Sequence, residues 1–76
     1  MSNIPQISGD RLIRALERAG FAQRKGKGGH RLLVHAKDLR RRAVVPVHGD
    51  KPIKPGTLMS ILEGAGLTLD ELKRLL

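Results

Sequence analysis

Residues 21–48 read FAQRKGKGGHRLLVHAKDLRRRAVVPVH, and the fold turns on whether this run is helix or sheet. Phe21 to Arg24 is followed at once by Gly26, Gly28 and Gly29, which break a regular element and make a turn. His30 to Ala36 carries Leu32, Leu33 and Val34, a run too short for a helix and suited to a strand. A polar connection, Lys37-Asp38-Leu39-Arg40, leads to the β-branched run Arg42 to His48, which is bounded by His48-Gly49-Asp50. Pro46 has no N–H to give to a ladder, so this last strand belongs at an edge or carries a bulge there. Three short strands joined by short turns predict an antiparallel meander.

The flanks are helical. Ser8 is suited to cap a helix over residues 9–19, with Asp10 in the first turn where the helix dipole favours a carboxylate. Leu12, Ile13, Leu16 and Ala19 recur at helical spacing, Arg11, Arg14, Glu17 and Arg18 fill the other face, and Gly20 ends the run. Beyond the meander, residues 51–54 lead into Pro55, which suits a first helical turn. Leu58, Ile61, Leu62 and Ala65 form an apolar stripe closed by Gly66, and Thr68-Leu69-Asp70-Glu71 reads as a capping box for a short terminal helix. Residues 1–7 contain Pro5, lack periodicity and read as a lead-in. The expected architecture is a single domain over residues 1–76 of two-layer α+β class. Its order is α-β-β-β-α, two helices cover one face of a three-stranded antiparallel sheet, and a short C-terminal helix follows. This arrangement resembles that of double-stranded-RNA-binding domains. A rival reading takes residues 55–76 as a DNA-binding helix-turn-helix. Asp70 and Glu71 near the start of the second helix would meet phosphates unfavourably and argue against it.

A core drawn from 76 residues rarely supplies more than about 3–5 kcal/mol of net stability, so function is expected in the polar and glycine-rich stretches. The chain has no cysteine, which excludes disulfides and thiolate metal sites. No apolar run approaches the roughly 20 residues that span a bilayer, and MSNIPQISGD carries no basic leader or apolar core of a signal peptide. A soluble cytoplasmic protein with no membrane association is expected. Fifteen Lys and Arg stand against seven Asp and Glu, for a net charge of +8. The excess is concentrated: Arg24, Lys25, Lys27, Arg31, Lys37, Arg40, Arg41 and Arg42 share the segment 24–42 with one acid, Asp38. Such clustering points to nucleic acid rather than to a merely solvated face. Phe21 is the single aromatic residue, which excludes modules that read single strands by stacking bases on several rings.

Among side chains that could carry chemistry, His30, His35 and His48 lack helical i, i+4 spacing and have no carboxylate pair beside them, so no metal site is expected. Ser2, Ser8 and Ser60 sit in no nucleophile elbow. Histidine acid–base chemistry on RNA remains: removal of the 2′-hydroxyl proton, protonation of the leaving oxygen and stabilisation of the charge on phosphorus. Residues 25–31, KGKGGHR, place a histidine, three cations and three glycines within one hairpin. Lys25, Lys27 and Arg31 are the expected phosphate contacts, with Gly28 and Gly29 allowing close approach of the backbone. On the residues alone His30 is either the proton-transfer group or an incidental member of a basic turn. His35 reads as a strand residue. His48 reads as a turn or capping group, with assistance to His30 as the alternative.

Three ordered blocks then resemble the HicA family of toxin ribonucleases: SGDRLIRALERAGFAQRKGKGGH, VVPVHGDKPIKPGTL and LMSILEGAGLTLDEL. Family members show an opening helix ending in A-G-F, a basic turn ending in G-S-H, V-P-V-H, a K-x-G-T-L helix start and an S-I-L-x-x-A-G-L run. The resemblance covers roughly residues 8–73. It implies the α-β-β-β-α fold and metal-independent, cofactor-free cleavage of mRNA. It also implies a single catalytic histidine, His30, as general acid or base, and a HicB-type antitoxin that covers that histidine. The middle serine of the family motif is Gly29 in this chain, giving G-G-H. Two other functions stay open at this point: a module of the same fold that binds structured RNA without cutting it, and the helix-turn-helix regulator.

Overall fold

Helix α1 (Gly9–Arg18) begins where the Ser8 side chain accepts a hydrogen bond from the Arg11 amide at 3.3 Å. It ends with Ala19 as cap, and Gly20 follows at φ +99°. Strands β1 (Phe21–Arg24), β2 (His30–His35) and β3 (Arg42–Pro46) come next, then helices α2 (Pro55–Ala65) and α3 (Leu69–Leu75). This computed structural model describes residues 4–76. Residues 1–3 of the expected lead-in lie outside them.

The sheet is an antiparallel meander in the order β1-β2-β3. Pro46 closes β3, an edge strand, as its missing N–H requires. The strands expected over 30–36 and 42–48 stop at His35 and Pro46. The Ala36 amide still donates to the Gly20 carbonyl in register with β1, but regular strand ends at His35, and a turn begins at His48, where the Lys51 amide reaches back to the His48 carbonyl at 3.3 Å.

All three helices pack on one face. Leu12, Ala15 and Leu16 of α1, Leu58, Ile61, Leu62 and Ala65 of α2, and Leu72 of α3 share a core with Phe21, Leu33, Ala43 and Val45 of the sheet. The pairs Leu33↔Ala43 and Arg31↔Val45 place that face in register. Among the described residues no helix lies over the opposite face, which carries His30, Leu32, Val34, Val44 and Pro46; Val34 is buried there and Val44 is 54% exposed. Apolar residues stand on both faces, so alternation alone does not choose between them.

The ends of the helices follow their local chemistry. Gly66 caps α2 in the left-handed region at φ +71°, and Pro55 opens that helix. At α3 both hydrogen bonds of the capping box form, Glu71 N–H to Thr68 Oγ1 at 3.1 Å and Thr68 N–H to Glu71 Oε1 at 2.9 Å. Arg18 reaches from α1 to the Leu75 carbonyl at 2.6 Å.

The described part of the lead-in is structural. Ile7 is buried in the core and its carbonyl accepts from the Ile53 amide at 2.8 Å, beside an isolated bridge between Ser8 and Pro52. The N-terminal segment is thereby stitched to the segment that precedes α2.

Candidate functional site

His30 opens β2 on the uncovered face, exposed, with its amide donating to the Lys27 carbonyl at 3.0 Å. It faces a cleft of about 540 Å³ that is lined by His30, Val44, Pro46, His48, Lys51, Pro52, Ile53, Lys54 and Thr57. Among the described residues no carboxylate lines this cleft, and two lysines do. Its floor is the open sheet face and its wall is the chain entering α2.

The wall is held by backbone. The Val47 amide donates to the Gly29 carbonyl at 2.6 Å, one residue before each histidine. Val47 is partly buried against the core, so parity turns His48 back toward the side of Pro46 and His30. The two imidazoles stand 6.2 Å apart, centroid to centroid, at an interplanar angle of 84°. The Ile7–Ile53 hydrogen bond fixes the following segment, from which Lys51 and Lys54 reach the cleft.

The hairpin contributes less to this site than its composition suggested. Arg31 pairs with Val45 and so shares the face of Leu33, opposite His30. Lys25 and Lys27 are exposed at the hairpin tip and do not line the cleft. Gly28 takes φ +56°, a left-handed position where glycine carries no steric cost. At Gly26 a Cβ would collide with the His30 carbonyl, so the turn needs glycine there for the strands to approach. Gly29 is different. A Cβ built on it meets the Val47 carbonyl at 3.4 Å and the His48 ring at 3.5 and 3.7 Å, ordinary contact distances. The geometry at residue 29 therefore accepts a side chain, and that side chain would rest against His48.

Part of the positive segment bonds to its own chain, Arg41 part-buried and Arg40 and Arg42 exposed. Arg41 donates from Nε to the Ala65 carbonyl at 2.7 Å, and its guanidinium lies 5.5 Å from the centre of the Phe21 ring. Arg42 donates to the Leu39 carbonyl at 2.8 Å. Arg40 donates to Asp38 through its backbone amide and its Nε, which holds the Asp38 carboxyl below its ordinary value. His35 is likewise structural: it stands edge-on to Phe21 at 5.0 Å and accepts from the Lys37 amide at 3.1 Å.

Sequence reasoning missed Lys51, Lys54 and Thr57. The stretch Lys51-Pro52-Ile53-Lys54 offered two cations just ahead of a helix start, but nothing in the linear order tied them to His30. Among the described residues no three His, Asp or Glu side chains are grouped to hold an ion, and no helix is long and apolar enough to cross a membrane.

Fold and site define a class: a small basic α+β domain that presents a histidine in a cationic cleft on the free face of its sheet. Residues 9–67 match the family model of the HicA toxin of bacterial toxin-antitoxin systems, a span that contains every residue lining the cleft. The chain belongs to the HicA toxin family. No curated protein matches it.

Proposed function

We propose that this toxin is a metal-independent endoribonuclease that cleaves mRNA, with His30 transferring a proton at the scissile phosphate. The observation that carries this reading is the exposed His30 imidazole facing a cleft whose charged side chains are Lys51 and Lys54. Imidazole can exchange protons near neutral pH, and the lysines supply positive charge for the phosphate oxygens. A cleft with cations and no carboxylate repels a divalent metal and attracts a polyanion, which supports chemistry without one. Lys25 and Lys27, together with Gly28 and Gly29 at the hairpin tip, remain available to the RNA beyond the reacting phosphate.

The partner is a HicB-type antitoxin that closes over His30 in the cytoplasm, where the mRNA is. Leu32, Val44 and Pro46 give it an apolar footing beside the histidine.

The test is cleavage of mRNA by purified protein in EDTA, with His30→Ala beside it, and growth arrest when each is expressed. Fragments from wild type and none from His30→Ala are expected. Full activity in the variant would remove His30 from the mechanism, and loss of wild-type activity in EDTA would remove the metal-free one. Tight, salt-sensitive RNA binding without fragments would instead identify a binding module.

A further inference from the structure

Breaking an RNA chain by its own 2′-oxygen needs two proton movements. The 2′-hydroxyl loses a proton as the oxygen attacks phosphorus, and the 5′-oxygen gains one as its bond to phosphorus breaks. The products are a 2′,3′-cyclic phosphate and a free 5′-hydroxyl, with no net proton consumed. One imidazole can serve one of these steps at a time. The cleft contains two.

We propose that His48 is a second catalytic residue, dividing the two proton transfers with His30. This rests on the ribonuclease reading above. His48 is exposed, lines the same cleft and stands with its ring 6.2 Å from that of His30. That separation is too wide for a hydrogen bond between the rings. Since both line the cleft, a phosphate seated in it would lie beside the two rings rather than between them, within reach of both. The relation is built into the backbone. The Val47–Gly29 hydrogen bond and the His30↔Pro46 pair lock the two segments in register, and the turn closed by Lys51 N–H to the His48 carbonyl follows directly. Lys51 and Lys54 are the charged groups that line the cleft with the two rings, placed for the oxygens that neither histidine serves.

The experiment uses RNA carrying a single linkage in which sulfur replaces the 5′-bridging oxygen. A thiolate leaves without protonation, so such a linkage bypasses the acid and still needs the base. The expected result with natural RNA is a fall in single-turnover rate of roughly 10²–10⁴-fold for His48→Ala, as for His30→Ala, with RNA affinity retained. On the sulfur linkage one of these two variants recovers a rate near wild type and the other does not. His48→Asn, which keeps a polar side chain in the turn, should behave as His48→Ala does. The inference is overturned if His48→Ala cuts natural RNA within a few-fold of wild type, if its loss lies in weaker RNA binding, or if neither variant recovers on sulfur. A dead His30→Ala beside an active His48→Ala overturns this inference and leaves the ribonuclease reading standing. A wild-type protein that leaves RNA intact overturns both.

Discussion

His30 and Arg31 are neighbours in the chain and lie on opposite faces of the sheet. His30 pairs with Pro46 on the open face, and Arg31 pairs with Val45 on the face that the helices cover. The cation next to the histidine in sequence is therefore not the one that shares its cleft. Lys51 and Lys54 hold that position, on a segment a strand and a turn away.

The lysines are expected to dominate RNA contact at the site. In a His30→Ala background, which prevents cleavage, Lys51→Ala and Lys54→Ala should each weaken binding of single-stranded RNA. Each should also flatten the slope of log K against log salt by about 0.7. Arg31→Ala should change the slope less. Titrations at several salt concentrations check this, and an Arg31 effect as large as that of either lysine would contradict it.

The three hairpin glycines are expected to differ in their response to alanine. Gly26→Ala drives a Cβ into the His30 carbonyl and should cost about 1–3 kcal/mol. Gly28→Ala places a Cβ at φ +56° and should cost about 1–2 kcal/mol. Gly29→Ala meets only ordinary contacts and should stabilise by about 0.4–1 kcal/mol through the unfolded chain. Gly29→Ser should be tolerated equally and put its hydroxyl against His48, so it should alter cleavage rate without lowering thermal stability. Urea denaturation of the four variants separates them.

Arg41 should behave as a structural residue despite its place in the basic segment. Removing its hydrogen bond to Ala65 and its contact with Phe21 should cost about 1–3 kcal/mol in Arg41→Ala. Arg41→Lys should not recover it, since an ammonium lacks the planar fork that serves both contacts. RNA affinity of the folded fraction should stay close to wild type. A large affinity loss at unchanged stability would reverse the assignment.

Glu71 should contribute to stability in a pH-dependent way. The Thr68 backbone N–H, which donates to Oε1 at 2.9 Å, and the neighbouring Thr68 hydroxyl hold its carboxyl below its ordinary value. A lowered folded-state value means the unfolded chain binds the proton more readily. The contribution is then complete above the ordinary glutamate value of about 4.3 and is lost as pH falls through the lowered one. Glu71→Gln keeps an acceptor for the Thr68 amide and no longer titrates. The melting-temperature difference between wild type and Glu71→Gln should be constant at neutral pH and shift against wild type in acid.

The helices were legible because their signals are local. Ser8, Pro55, Gly66 and the Thr68–Glu71 box act within a few residues, and each cap forms as its chemistry dictates. The meander was legible from the lengths of its apolar runs and from its turns. The identity of the covered face was not, because Leu33 on one side and Leu32 and Val34 on the other satisfy alternation equally. The charge total does not separate cations that serve the fold from those left exposed. Arg41 counted toward a polyanion surface, yet it bonds to the Ala65 carbonyl and lies against Phe21, whereas Arg40 and Arg42 bond only to nearby groups and stay exposed. Lys51 and Lys54 went unread because their value depends on the Val47–Gly29 and Ile7–Ile53 hydrogen bonds, which join segments distant in sequence.

The stitch between Ile7 and Ile53 also has a consequence for how the chain is made. Synthesis runs from the N-terminus, and domains fold as units once enough of the chain has emerged. His30 leaves the ribosome well before Ile53, Lys54 and the α2 residues that complete the cleft and its core. A nascent chain thus carries the His30 imidazole on an unfinished sheet, without the lysine wall beside it.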